Sequence, residues 1–276
     1  MFAILSILQV ARSIDLTYYP TFHSPPSQRV LSVMAYHKLS NSLVVYSGYA
    51  SSTALSDLWQ FSLDNNIWSE KNPTSSIPDG RSNSGGFCSS KTGKFYIFGG
   101  NTEKGPMNDF WSYDFISSNW LEEATINTPL PRQCFGYTSF EYDGIEYFAV
   151  FGGGTIEGED NGLYLLNMDT YEWKHMPNQG SLPPKTQSST IQYYDGYIYV
   201  AAGKLTYHLD KPDPSGFFRY SIADEKWDDV TSINTYTSRQ YTGSAVIDGY
   251  FYLIYGWSNE DDINRQDNFR VSLIEI

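Results

Sequence analysis

Two cysteines and four histidines are all that this chain of 276 residues offers for disulfide or imidazole chemistry. So few cysteines exclude a disulfide-built scaffold. His23, His37, His175 and His208 fall on unrelated stretches, which argues against a metal centre of two or more imidazoles. Basic residues are also scarce: 18 Lys and Arg against 31 Asp and Glu give a net charge of -13. Nucleic acid and anionic membrane would both repel such a surface, so neither is expected as the main partner. No uncharged apolar run is long enough to span a bilayer; the longest is Met1 to Val10. Nor is there a G-x-S-x-G, an H-E-x-x-H or a phosphate-cradling glycine loop. No cofactor and no catalytic residue is therefore assigned.

The run Met1 to Val10 has two readings. It can be a signal core spanning residues 1–13, with Ala11-Arg12-Ser13 as a small-x-small cleavage site, or an ordinary N-terminal segment. No basic residue precedes it. Asn72-Pro73-Thr74 is blocked as a glycosylation triplet by its proline. A secreted or lumenal location and a cytoplasmic one both stay open.

What the chain does have is aromatics, 17% of residues with 23 tyrosines and 7 tryptophans, a composition that leans towards sheet. They recur with a period. Apolar runs end in glycine at Gly48, Gly100, Gly153, Gly203 and Gly256, in steps of 52, 53, 50 and 53 residues. Trp68, Trp120, Trp173 and Trp227 follow at 20, 20, 20 and 24 residues past the first four glycines. A basic residue leads each unit: Arg29, Arg81, Arg132, Lys185 and Arg239. Three independent markers on one period define a repeat protein.

Each unit reads as four short strands. A small-residue run follows the basic position, then a turn, which in three units is Asp-Gly (Asp143-Gly144, Asp195-Gly196, Asp248-Gly249), the tight hairpin signal. The apolar strand ending in glycine comes next, then a loop of variable length. A third strand is written Asp57-Leu58-Trp59 and Asp109-Phe110-Trp111, and a fourth carries the tryptophan. An antiparallel meander of about fifty residues is the size of one propeller blade.

In this combination of diglycine, spaced aromatics and leading arginine (Pro131-Arg132), residues 14–276 resemble the kelch-repeat β-propellers, the group that includes the galactose-oxidase central domain. The resemblance implies an all-β fold of four-stranded blades. Five units are visible, and the fifth stops before its tryptophan slot. The segment "IDLTYY" (14–19) is expected to supply that missing fourth strand, closing a five-bladed ring and removing its open edges. A fragment of a six- or seven-bladed ring is the alternative. Some kelch-like propellers are copper oxidases with a tyrosine–cysteine crosslink and histidine ligands, but that pattern is missing here. Cys88 and Cys134 are expected to be free thiols, because a five-residue offset on neighbouring inner strands is about 16 Å. The acidic clusters 157–160 and 260–262 lack EF-hand spacing and read as solvated loops.

In such a meander the leading basic residues and the loops after each glycine share one face. Arg29, Arg81, Arg132, Lys185 and Arg239 would then ring a channel mouth, with Tyr49, Tyr207, His208 and Trp257 beside them on the loops 49–56, 101–108, 154–161, 204–215 and 257–266. Two fates follow for the basic side chains: they fold back onto the backbone of a neighbouring blade, or they grip a partner's carboxylates. The functional expectation is a monomeric, non-catalytic scaffold that binds a protein or peptide, such as an acidic segment, on this face. A carbohydrate-active or oxidoreductase propeller and an architectural subunit are the alternatives.

Overall fold

The computed structural model describes residues 25–201, 203, 216–231, 240–254, 256–258, 263–264 and 268–274. The expected leader (1–13) and closing strand (14–19) lie outside the described residues. The chain divides into two compact units, residues 1–125 with 130–133, and residues 126–129 with 134–276.

The first unit holds two antiparallel meanders. One runs β1 (Val33–His37), β2 (Ser42–Tyr46), β5 (Leu58–Ser62), β6 (Ile67–Lys71), and a small ribbon, β3 (Tyr49–Ala50) with β4 (Thr53–Ala54), interrupts it after Gly48. The other runs β7 (Gly85–Cys88), β8 (Phe95–Thr102), β9 (Gly105–Asp114), β10 (Asn119–Glu122), and the short β11 (Arg132–Gln133) bridges Met107. The second unit holds β12 (Gly136–Tyr142) to β15 (Glu172–His175) through β13 (Ile145–Thr155) and β14 (Gly158–Asn167). It continues with β16 (Thr190–Tyr194), β17 (Tyr197–Ala201), β18 (Phe217–Ser221) and β19 (Lys226–Asp229). Three strands follow, β20 (Gly243–Ile247), β21 (Tyr250–Ile254) and β24 (Asn268–Ser272), with the ribbon β22 (Trp257–Ser258) and β23 (Ile263–Asn264) between them. Every predicted fourth-strand tryptophan falls on its fourth strand.

The turns follow from local chemistry. Asp143-Gly144, Asp195-Gly196 and Asp248-Gly249 all take positive φ at both residues, the type I′ geometry that matches strand twist. Each closes a two-residue loop, as in Tyr194 opposite Tyr197. The glycine pairs are bulges: the β8–β9 register slips between Phe98 and Gly100, and the β13–β14 register between Phe151 and Gly153. Gly100 sits at φ 92, and a Cβ there would lie 2.6 Å from Ser84 Cβ and 2.8 Å from Ser82 O. Only glycine allows the bulge to pack that closely.

Aromatics seat one meander on the next within each unit. Trp120 of the second meander stands 5.0 Å from Tyr46 of the first and 5.2 Å from Tyr113. Trp227 repeats this, 5.6 Å from Phe151 of the preceding meander and 5.0 Å from Tyr220. Around these lie buried clusters: Val33, Val44, Leu58, Phe95 and Ile97 in the first unit, and Phe140, Leu163, Ile191, Ile198 and Val200 in the second. The connecting chain also clamps outer edges. Ile126 pairs in parallel with β15 at Glu172, Gly180 does so with β19 at Trp227, and Ser75 Oγ accepts the Trp120 N–H at 2.8 Å. Such caps blunt exposed strand edges.

One expectation changes. Four of the variable loops carry strand pairing: 49–56 holds β3–β4, 257–266 holds β22–β23, and 101–108 and 154–161 continue β8–β9 and β13–β14 as ribbons past the bulge. The latter two turn on a Thr-x-x-Gly step, where Thr102 Oγ donates to Gly105 O (3.1 Å) and Thr155 Oγ to Gly158 O (3.0 Å).

Candidate functional site

The leading arginines of the first unit point inward. Arg81 is fully buried and grips Asp109 through two bonds, Nη1 to Oδ1 at 2.7 Å and Nη2 to Oδ2 at 2.8 Å. Its Nη1 also donates to Gly99 O and its Nε to Asp79 O, both at 3.0 Å. Arg29 repeats the arrangement with Asp57 at 2.6 and 2.8 Å and with Ser47 O at 3.1 Å. The third-strand tryptophan completes each set: Trp59 and Trp111 Nε1 donate to Asp57 and Asp109 at 2.7 Å. The sequence step Asp-x-Trp that marks the third strand is therefore the acceptor for the arginine 28 residues before it.

Electrostatics favour the charged forms of Asp57 and Arg81. Burial alone would raise the Asp57 carboxyl, but hydrogen bonds from Arg29 and Trp59 outweigh it and hold the group below its ordinary range. Burial likewise disfavours the Arg81 charge, and Asp109 reverses the effect, raising its pKa. Backbone links add to this. The Gly48 N–H donates to Arg81 O at 3.0 Å, and Ser47 Oγ bonds both the N–H and the carbonyl of Arg81, tying the first meander to the second.

Of the two fates expected for the basic side chains, Arg29 and Arg81 take the fold-back. Arg29 and Arg81 are neutralised within their own blades, and Arg132 is fully buried, its Nε donating to Leu130 O at 3.1 Å. The fold-back is therefore onto the same blade's third strand rather than only onto a neighbour's backbone. Lys185 is exposed, and it does not occupy the arginine position. The Gly153 N–H donates to Thr186 O, as the Gly48 N–H does to Arg81 O, so buried Thr186 is the equivalent and the fourth repeat is one residue out of the expected register. Tyr49 is exposed on the β3–β4 ribbon. Trp257 pairs opposite Asn264 in the β22–β23 ribbon, though its side chain, like Tyr207, His208 and Arg239, lies outside the described residues.

Two residues past each basic position (Thr186 in the fourth repeat) comes a feature not visible in the sequence. Leu31, Asn83, Cys134, Ser188 and Tyr241 all adopt the left-handed conformation, φ 53 to 60. The turn carries interblade bonds inside each unit: the Asn83 N–H donates to Leu31 O at 3.1 Å, and the Ser188 N–H to Cys134 O at 2.6 Å. In the second unit, burial raises both the Cys134 thiol and the Tyr241 phenol, and Ser188 opposes that rise at each. Both cysteines are free, as expected. Burial pushes the Cys134 thiol up to about 11, against a smaller opposing effect of Ser188, and burial raises Cys88 too. Neither thiol is an activated nucleophile. Among the described residues no cluster of three or more His, Cys, Asp or Glu could hold a metal, and no helix is long and apolar enough to cross a membrane.

Comparison with known proteins gives the same architecture. The Attractin/LZTR1 beta-propeller family matches residues 43–272. The chain belongs to that family. In an Attractin/LZTR1 beta-propeller, the meanders above are propeller blades of the kelch type. Among similar proteins is the leucine-zipper-like transcriptional regulator 1 homolog of Drosophila melanogaster, 22% identical over 83% of this chain and 24% of that protein. Tip elongation aberrant protein 1 of Schizosaccharomyces pombe is 30% identical over 56% of this chain and 13% of its own length. Human Kelch domain-containing protein 1 is 27% identical over 52% of this chain and 37% of its length. The chain thus matches about a quarter or less of the length of the first two relatives.

Proposed function

We propose that the chain is a non-catalytic scaffold that binds a protein or peptide with the ribbons and turns at the arginine end of its blades. The observation that carries this reading is the contrast between a constant frame and variable displayed groups. Arg–Asp–Trp sets recur in the first two blades and glycine bulges in the second and third, while the ribbons past the glycines present Tyr49 and Ala50 in one repeat, Glu103 and Lys104 in the next, and Ile156 and Glu157 in the third. Ile156 is 78% exposed and the Lys104 side chain 72%. Variation mounted on a rigid scaffold suits recognition. The family and the kelch relatives support a role in protein interaction.

The partner need not be acidic. That expectation rested on free cations, and Arg29 and Arg81 are committed to Asp57 and Asp109. A test is affinity capture with the wild-type chain beside a variant whose Glu103-Lys104 and Ile156-Glu157 turns are replaced by Asn-Gly. A partner set lost in the variant, with the thermal midpoint unchanged, is the expected result. An identical set from both proteins would place binding elsewhere.

A further inference from the structure

Charge is divided unevenly between the two units. Residues 134–276 hold 21 Asp and Glu against 9 Lys and Arg, a net of -12, whereas residues 1–133 hold 10 against 9, a net of -1. A field of that sign draws in cations and repels carboxylates and phosphates. It selects a ligand only where the fold gives a cation something to fit.

The second unit has such a place. A groove of about 660 Å³ lies between the blade β12–β15 and the blade β16–β19, at their hairpin-turn end. It is lined by buried Phe140 and Leu165, and by half-buried Tyr142 and Tyr147 of one blade and Ile222 of the next. Phe140 stacks on Tyr147 at 5.7 Å. Lys174, which also lines the groove, is committed to an ion pair with Glu225 of the neighbouring blade. The Asp-Gly turns bring further acid to both sides. Asp143 follows Tyr142, and the Asp195-Gly196 turn adjoins Ile222, whose N–H donates to Gly196 O at 3.1 Å. Both aspartates are exposed, and among the described residues neither pairs with a basic side chain. A lysine or arginine side chain matches this combination, because its methylene stem covers apolar surface while its head meets ring faces and carboxylates. The same unit already uses that chemistry internally: Arg219 lies 4.6 Å from the centre of the Tyr197 ring and pairs with Asp228. An uncharged segment would leave the carboxylates unused, and an acidic one would be repelled. We propose that this groove docks a lysine- or arginine-bearing peptide segment of a protein partner, with Tyr142 and Tyr147 against the basic side chains and Asp143 and Asp195 flanking them. The surface lies at the opposite end of the blades from the ribbons considered above, so neither depends on the other.

The test titrates a fluorescently labelled Arg-Gly repeat peptide, and a Gln-Gly repeat of the same length, into the full chain and follows anisotropy. Saturable binding of the Arg-Gly peptide alone, weakened by added salt, is the expected result. Two paired variants locate it. Asp143→Asn with Asp195→Asn keeps both turns, since Asn-Gly suits type I′. Tyr142→Leu with Tyr147→Leu keeps apolar bulk and removes the ring faces. Each pair should weaken binding about fivefold or more, with a thermal midpoint close to that of wild type. Glu70→Gln with Glu122→Gln removes the same charge from exposed positions of the first unit and should bind as wild type does. An equal loss in that control would reduce the interaction to net charge and overturn the groove. Folded tyrosine variants that bind like wild type would overturn it too. Should the leucine pair not fold, the asparagine pair and its control decide. No binding of the Arg-Gly peptide to wild type would overturn the proposal and leave the reading of the arginine end standing.

Discussion

At the scale of single residues, the leading arginine and the third-strand aspartate are one device. Both are legible as markers, but their pairing is not, because 28 residues of intervening chain hide a contact that only the meander creates. The pairing makes stability depend on pH. The Asp57 carboxyl titrates below its ordinary value in the folded chain, so the unfolded chain binds the proton first as pH falls. Its contribution is fully present above the unfolded carboxylate pKa of about 3.9 and is lost as pH drops through the lower folded value. Urea denaturation at pH 7 and again near pH 3 should show that fall, and Asp57→Asn should make the fall shallower while lowering stability at pH 7. The role of Thr186 is hidden for a related reason. Lys185 is the nearest basic residue in the sequence, whereas the structure keeps the backbone bond to Gly153 and lets the side chain change.

At the scale of elements, the hairpins are the most legible part. Asp-Gly between aromatic runs dictates a type I′ turn by itself, with no help from the rest of the fold. The ribbons past the bulges are hidden because their signal, Thr-x-x-Gly, sits amid polar residues that read as loop. The two kinds of glycine should respond differently to alanine. Gly196 at φ 83 has nothing within 4 Å of where an added methyl group would sit, so Gly196→Ala should cost only backbone strain, about 1–2 kcal/mol. Gly100→Ala adds a clash with Ser84 and Ser82, and its loss of stability should exceed that of Gly196→Ala in the same thermal or urea assay. Equal losses would mean that the bulge can move away from the chain it packs on.

At the scale of the whole molecule, the period of about fifty residues reveals the repeat architecture from glycines, tryptophans and basic residues alone, and family membership agrees with it. Of the two fates open to the leading basic residues, Arg29 and Arg81 take the fold-back. Spacing puts like residues at like places, but it does not say which way their side chains turn. Here the choice is set by burial: an enclosed guanidinium needs an anionic partner, and Asp109 provides one. The leading arginines of the first unit thus hold strands together, and the proposed recognition falls to residues beside them.

A double-mutant cycle on Arg81 and Asp109 tests that division most directly, with stability read from urea denaturation of wild type, Arg81→Ala, Asp109→Ala and the pair. Each single variant should lose about 3–5 kcal/mol, since each strands a buried charge, and the double should lose much less than their sum, a coupling of about 2–3 kcal/mol. Single variants as stable as wild type, with no coupling between them, would contradict the internal pairing and return Arg81 to the binding face.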